Sequence, residues 1–135
     1  MMLNHPMFEI LKQKTPATRI AVVGATNNPA KYGNVIPKTL LRHGYTIWPV
    51  HPTEKEVLGL PCYPNITSLP ATPDIVNIVT PPAITINVLA ECEAAQVPNV
   101  WMQPGSFDDA CVRFADTASF VSEHDACIMV VANYP

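Results

Sequence analysis

The sequence has little charge, and what it has is not grouped. Asp, Glu, Lys and Arg make up 14% of its 135 residues, the net charge is −3, and the eight lysines and arginines are scattered along the chain. A nucleic-acid partner is therefore not expected, because nucleic-acid binding requires a concentrated basic face. The 48% of apolar residues argue against a disordered chain. The low surface charge also permits a homo-oligomer.

Long apolar runs and paired cysteines are missing too. No apolar run approaches the ~20 residues of a membrane span. Residues 1–8 lack the basic segment followed by an apolar segment that secretion signals carry. None of the four cysteines forms a C-x-x-C pair, so a zinc site is not indicated, and a disulfide scaffold would be expected in a smaller chain with more cysteines. These absences predict a cytoplasmic protein with reduced thiols, no metal site and no membrane partner.

Glycine is scarce, with five residues, but one of them follows an informative segment. Four apolar residues, 20–23, lead directly to Gly24, a short polar stretch follows, and a helical pattern begins near Asn34. A strand buried on both faces needs such a continuous apolar run. A glycine lets the backbone approach a ligand closely, and the helix that follows directs free N–H groups at the turn. This order of elements predicts a phosphate or pyrophosphate site.

Strand-like and helix-like segments alternate along the whole chain. The strand signals lie at 20–24, 45–50, 74–80, 99–102 and 127–131, and the helix signals at 6–14, 34–43, 82–96 and from 106 to about 117. Strands separated by helices predict an α/β fold: a Rossmann-like parallel sheet of about five strands with helices on both faces, in three layers. We expect one domain over 19–135, preceded by an N-terminal helical extension over 1–18.

Ligands of such sheets bind where the carboxyl ends of the strands meet and the strand order reverses. The four segments that should meet at this edge are 24–31, 51–55, 80–82 and 103–105.

The first turn disfavours a dinucleotide. The pattern G-x-G-x-x-G/A would place glycine or alanine where this chain has Thr26 and Pro29. The second strand ends in Val50-His51-Pro52, without the acidic residue that would bind an adenosine ribose. An NAD(P)-binding small oxidoreductase is therefore the alternative and not the first hypothesis.

Six motifs in order resemble the CoA-binding domain family, which includes the amino-terminal domain of the succinyl-CoA ligase alpha subunit and many small stand-alone proteins. They are IAVVGATNNP (20–29), GYTIWPVHP (44–52), VLGLP (57–61), DIVNIVTPP (74–82), VWMQPG (100–105) and CIMV (127–130). The resemblance implies that coenzyme A or an acyl-CoA is bound at the carboxyl edge of the sheet. A ligand with a pyrophosphate and a 3′-phosphate needs a helix N-terminus and cations, not a carboxylate after the second strand.

The resemblance also implies a set of binding residues. Those that would line the phosphates are Gly24, Ala25, Thr26, Asn27 and Asn28. The loop at the nucleotide end and the nearby cations are His51, Pro52, Lys55 and Lys31. The strand-end segment beside the adenine or pantetheine is Val79, Thr80, Pro81 and Pro82. The turn near the pantetheine end contains Gln103 and Gly105.

No catalytic constellation stands out in the sequence. There is no pair of carboxylates placed for acid–base work and no Ser-His-Asp order, and Cys127 is interpreted as a small core residue. The chain also has nothing corresponding to the second ligase domain that carries the phosphorylated histidine. We therefore expect CoA binding without catalysis by this chain alone. The alternatives are the NAD(P)-linked oxidoreductase and an accessory subunit of an acyl-CoA-dependent enzyme.

Overall fold

The computed structural model describes residues 6–134, so residues 1–5 of the predicted extension and residue 135 lie outside the described part. The helices are α1 (Pro6–Leu11), α2 (Tyr32–Arg42), α3 (Pro82–Ala94), α4 (Asp109–Thr117) and α5 (Ile128–Ala132), with a 3₁₀ turn at Ile66–Ser68. The strands are β1 (Arg19–Val23), β2 (Thr46–Val50), β3 (Glu56–Val57), β4 (Leu60–Pro61), β5 (Ile75–Ile78), β6 (Asn99–Met102) and β7 (Val121–Glu123).

Five strands form one parallel sheet in the order β2-β1-β5-β6-β7. The chain leaves β1 toward β2 on one side and returns to β5 on the other side, so the strand order reverses between β1 and β5. Pro49 lies in β2, an edge strand, where a residue without an N–H is tolerated. The α/β Rossmann-like prediction is confirmed.

Two cores, one on each face of the sheet, explain the continuous apolar runs. On β1, Ile20 and Val22 pack with α1, α2 and α5, whereas Ala21 and Val23 pack with α3 and α4. Because both faces are covered by helices, both sets of side chains leave water. Met7 and Leu11 of α1 are fully buried in the first of these cores. Among residues 6–134, no helix has the length and apolar character that crossing a bilayer requires.

The predicted last strand at 127–131 is wrong, because this segment forms α5. Ile128, Val131 and Ala132 are buried at helical spacing, whereas Val130 between them is 68% exposed. The fifth strand is β7, a short edge strand. A five-residue apolar run does not distinguish helix from strand by periodicity, and the sequence of β7, Val-Ser-Glu, is too short and polar to give a signal.

The sequence also gives no signal for the hairpin of β3 and β4. Its two-residue turn is Leu58-Gly59, and both residues have positive φ, 54° and 76°. Such turns are usually marked by Asn-Gly or Asp-Gly. Leucine at the first position is unusual, so the sequence of the long connection 51–73 predicts only a loop and a helical turn.

Helix α2 begins against the turn that ends β1. A Cβ placed on Gly33 would lie 2.2 Å from the carbonyl oxygen of Gly24, and the Thr26 amide donates to the Gly33 carbonyl at 3.1 Å. Gly24 itself has φ +94°, and a Cβ there would lie 2.8 Å from Val79 Cγ2. Both positions therefore require glycine, one for close approach and the other for its conformation as well.

We expect Gly33→Ala to lower the free energy of unfolding by about 3 kcal/mol, because the methyl group displaces α2 from β1. Urea denaturation measures the loss. Gly59→Ala is the matched control, since φ is +76° but no atom lies within 4 Å of its added Cβ. Gly59→Ala should lower the free energy of unfolding by only about 1 kcal/mol, which is the cost of the backbone conformation alone. Equal losses in the two variants would contradict the steric explanation.

Candidate functional site

A cleft of about 800 Å³ opens at the carboxyl edge of the sheet, over β1, β2 and β5 and between the first turns of α2 and α3. We call it the edge cleft. Its lining residues are Val23, Gly24, Thr26, Ala30, Lys31, Tyr32, Gly33, Val50, His51, Pro52, Pro64, Asn65, Val79, Thr80, Pro81, Ile84, Asn87, Val88 and Glu91. The cleft lies where the strand order reverses, which is where open α/β sheets bind ligands.

The amides of the first turn are already bonded within the protein. Those of Gly24 and Ala25 both donate to the Val50 carbonyl, at 2.9 and 3.3 Å, and that of Thr26 donates to Gly33. These bonds fasten the turn to β2 and α2. The three amides that were expected to face phosphate therefore shape the cleft, and they are not its free donors.

The free donors lie one turn later, at the start of α2. The cap residue Lys31 makes no side-chain hydrogen bond to the helix, and its carbonyl accepts the amides of Asn34 and Val35. The amides of Tyr32 and Gly33 have no acceptor within residues 6–134, and both residues line the cleft. Together with the Lys31 ammonium, they make this end of the cleft positive.

Asn27 and Asn28 hold the loop together and do not line the cleft. Asn27 Nδ2 donates to the Glu56 carbonyl at 2.7 Å and to Glu54 Oε2 at 3.1 Å, and its Oδ1 accepts the Leu58 amide at 3.1 Å. Asn28 Oδ1 accepts the Ala30 amide at 3.0 Å. The Asn27 side chain thus joins the first loop to the β3–β4 hairpin.

The loop after β2 is organised by a histidine that lines the cleft beside Pro52. His51 Nδ1 accepts the amides of Thr53 and Glu54 at 3.1 and 3.2 Å. An accepting Nδ1 leaves the proton on Nε2, so the ring retains one donor. Lys55 is exposed and does not line the edge cleft.

The segment after β5 forms the wall opposite α2. Val79, Thr80 and Pro81 line the cleft, whereas Pro82 begins α3 outside the lining. The Thr80 hydroxyl is 2.8 Å from that of buried Thr85, which fixes the start of α3 on the end of the strand.

The turn after β6 lies outside the cleft. Gln103 is buried; its Nε2 donates to Cys127 Sγ at 3.1 Å, and its Oε1 accepts the Ile128 amide at 2.8 Å. These bonds hold the start of α5. Gly105 has φ +89° with nothing within 4 Å of an added Cβ, so it forms an open turn.

The surroundings of Cys62 and Cys92 do not favour a reactive thiolate, and the described residues form no cluster of metal ligands. Burial raises the pKa of Cys92 to about 12, and burial together with the Glu54 carboxylate raises the pKa of Cys62. Both thiols therefore stay protonated near neutral pH. Within residues 6–134, no three His, Cys, Asp or Glu side chains converge as metal ligands would.

Several lining residues were not anticipated from the sequence. They include Tyr32 and Gly33 of α2, Asn65 after β4, and Ile84, Asn87 and Glu91 of α3. A signal was present for α3, because these three positions lie three and four residues apart and mix apolar with polar side chains on one helix face.

Relatives of the chain include both enzymes and small proteins. It is 32% identical to the ADP-forming acetate–CoA ligase I of Archaeoglobus fulgidus over 71% of this chain, but only 14% of that ligase is covered. It is 28% identical to the uncharacterized protein YneT of Bacillus subtilis over 96% of both chains. The chain thus corresponds to a small part of the ligase and to nearly all of the small protein.

Solved structures similar to the chain also include both a small protein and a part of a larger enzyme. A conserved hypothetical protein from Pyrococcus furiosus is 40% identical, with a TM-score of 0.80 over 84% of this chain and 97% of that chain. The dinucleotide-forming acetyl-coenzyme A synthetase 1 of Ca. Korarchaeum cryptofilum is 28% identical, with a TM-score of 0.70 over 86% of this chain and 27% of that chain.

The family resemblance noted in the sequence is confirmed. Residues 18–133 match the family described as CoA binding domain, and this range contains all five strands of the sheet and every residue that lines the edge cleft. The chain belongs to the CoA-binding domain family.

Proposed function

We propose that the protein binds coenzyme A or an acyl-CoA in the edge cleft and does not transform it unaided. The observation that carries the proposal is the pairing of free amides at Tyr32 and Gly33 with the Lys31 ammonium at the strand-order reversal. Amides at a helix N-terminus and an adjacent cation suit the pyrophosphate of CoA. The apolar side chains that line the cleft beside them can pack against the base of the nucleotide.

The phosphates would lie over Gly24 and Thr26, against the first turn of α2. The Nε2–H of His51 lies on the same edge and would donate to a phosphate or ribose oxygen. Lys55 follows in the same loop and, although outside the cleft, has a long enough side chain to meet a 3′-phosphate near the loop surface. The wall of Val79, Thr80 and Pro81 would cover the base or the start of the pantetheine arm.

The pantetheine arm would run along the carboxyl edge of the sheet from β5 toward the turn after β6. Gly105 leaves open space there, because nothing lies within 4 Å of its missing side chain. Gln103 would then act by holding this turn and α5 in place and not by direct contact, since its amide is bonded to Cys127 and Ile128.

A second candidate function is that of a CoA-binding accessory subunit for an acyl-CoA-dependent enzyme. It is favoured by the ligase matches, in which this chain corresponds to 14% of the Archaeoglobus enzyme and 20% of an ADP-forming acetate–CoA ligase alpha subunit from Pyrococcus furiosus. In such a complex the partner would supply the acyl chemistry.

We expect CoA and acetyl-CoA to stabilise the protein against heat more than NAD, NADP or ATP does. Ligand at 100 times its dissociation constant adds about 2.7 kcal/mol, which raises the melting temperature of a chain of this size by roughly 10 °C. Differential scanning fluorimetry with the five ligands is the measurement. Stabilisation by NAD without stabilisation by CoA would reject the proposal in favour of the oxidoreductase alternative.

Lys31→Ala should weaken CoA binding about three- to tenfold, because it removes one cation from a partly solvated phosphate. Lys38→Ala is the matched control, since Lys38 is exposed on the same helix but does not line the cleft. Isothermal titration calorimetry measures both variants. If both lose affinity equally, the phosphates do not lie at the start of α2.

A further inference from the structure

A stripe of residues on α3 lines the edge cleft. Ile84, Asn87, Val88 and Glu91 all line the cleft at spacings of three and four residues. Residues at these spacings share one face of a helix. With a rise of about 1.5 Å per residue, Glu91 lies roughly 10 Å beyond Ile84 along the helix. Apolar and polar side chains alternate along the stripe, in the order Ile84, Asn87, Val88 and Glu91.

The carboxylate of Glu91 is held in place by the protein. Its Oε1 accepts the Ile66 amide at 3.1 Å, which ties α3 to the 3₁₀ turn after the hairpin. In the part of the chain that the structure describes, its other oxygen receives no hydrogen bond. A fixed carboxylate with one unused acceptor therefore lines the cleft.

The neighbours of Glu91 on the stripe supply the rest of a binding surface. Asn87 is exposed, and its side-chain amide has no hydrogen-bond partner within residues 6–134. Ile84 is 51% exposed although it is a large apolar residue, and Val88 is buried beside it. The apolar side chains can pack against the face of a flat ring, and the adjacent amide and carboxylate can form hydrogen bonds with its polar edge.

We propose that Glu91 and Asn87 recognise the edge of the adenine base, an inference that rests on the proposed function. The exocyclic amine of adenine is a donor, and a carboxylate accepts from such amines, whereas an asparagine amide pairs with both the amine and a ring nitrogen. A base with a carbonyl at the same position would face the carboxylate oxygen and be rejected.

The negative charge of the Glu91 carboxylate also orients the ligand. A phosphate near Glu91 would be repelled, and the free amides and ammonium at the start of α2 attract it. The nucleotide therefore lies with its phosphates toward Lys31 and its base toward Glu91. The apolar wall formed by Ile84 and Val88 covers the ring.

The test compares adenosine 3′,5′-bisphosphate, inosine 3′,5′-bisphosphate and pantetheine by calorimetry. Inosine replaces the amine of adenine by a carbonyl and leaves the phosphates unchanged. We expect the protein to bind the adenosine compound at least about tenfold more tightly, as expected for a hydrogen bond to a charged group.

Glu91→Gln is the informative variant. The introduced carboxamide keeps an oxygen for the Ile66 amide, so its NH₂ group faces the cleft and donates to the carbonyl of inosine. The adenosine-to-inosine affinity ratio should fall toward one, with pantetheine binding unchanged. Asp116→Asn removes the charge of an exposed residue on α4 and is the matched control, in which the ratio should not change. If Glu91→Gln does not fold, Asn87→Ala should weaken binding of the adenosine compound and leave pantetheine binding unchanged.

Three results would overturn the inference. They are equal affinity of the protein for the two nucleotides, an unchanged adenosine-to-inosine affinity ratio in Glu91→Gln, and a loss of affinity in Glu91→Gln that is confined to pantetheine, which would place the arm at this end. None of these results rejects the proposed binding of CoA. Failure of the protein to bind CoA itself would reject the proposed function together with the inference.

Discussion

The contact between the start of α2 and the turn after β1 determines the shape of the edge cleft. Gly33 rests against the Gly24 carbonyl so closely that no other residue fits, and the Thr26 amide bonds back to Gly33. This contact sets where α2 begins, and therefore where its unbonded amides point. In a dinucleotide-binding fold, a third glycine serves close helix–strand packing. Here Gly33 has that role nine residues after Gly24.

The sheet was predictable because its central strands are buried on both faces. The strands β1, β5 and β6 are mostly apolar and lack a regular polar alternation, although β5 contains the buried Asn77. The segments that follow them have helical spacing, and the two patterns together predict a parallel sheet. The elements at the margin escaped prediction for physical reasons. In β7 there are only three residues on an edge, and in α5 a short apolar run is buried on one helical face while Val130 stays in water.

The position of the candidate site in the fold could be predicted from the sequence, but the atoms that line it could be predicted less well. The strand-order rule located the loops after β1, β2 and β5, and His51, Thr80 and Lys31 do line one cleft. Which amides are free could not be inferred, because this depends on long-range bonds such as those from Gly24 and Ala25 to Val50. The hydrogen bond that holds the Glu91 carboxylate could not be inferred either, since its donor is the Ile66 amide, in a loop that meets α3 only in the folded chain.

The asparagine that joins the first loop to the hairpin links two segments about thirty residues apart in sequence. Its side chain satisfies two backbone groups of the hairpin, one of them at the turn residue Leu58 with its positive φ. The two segments therefore form one structural unit. Transplanting the glycine turn into another scaffold without the hairpin would leave this amide unsatisfied and the loop without its support, so the two segments must be engineered together.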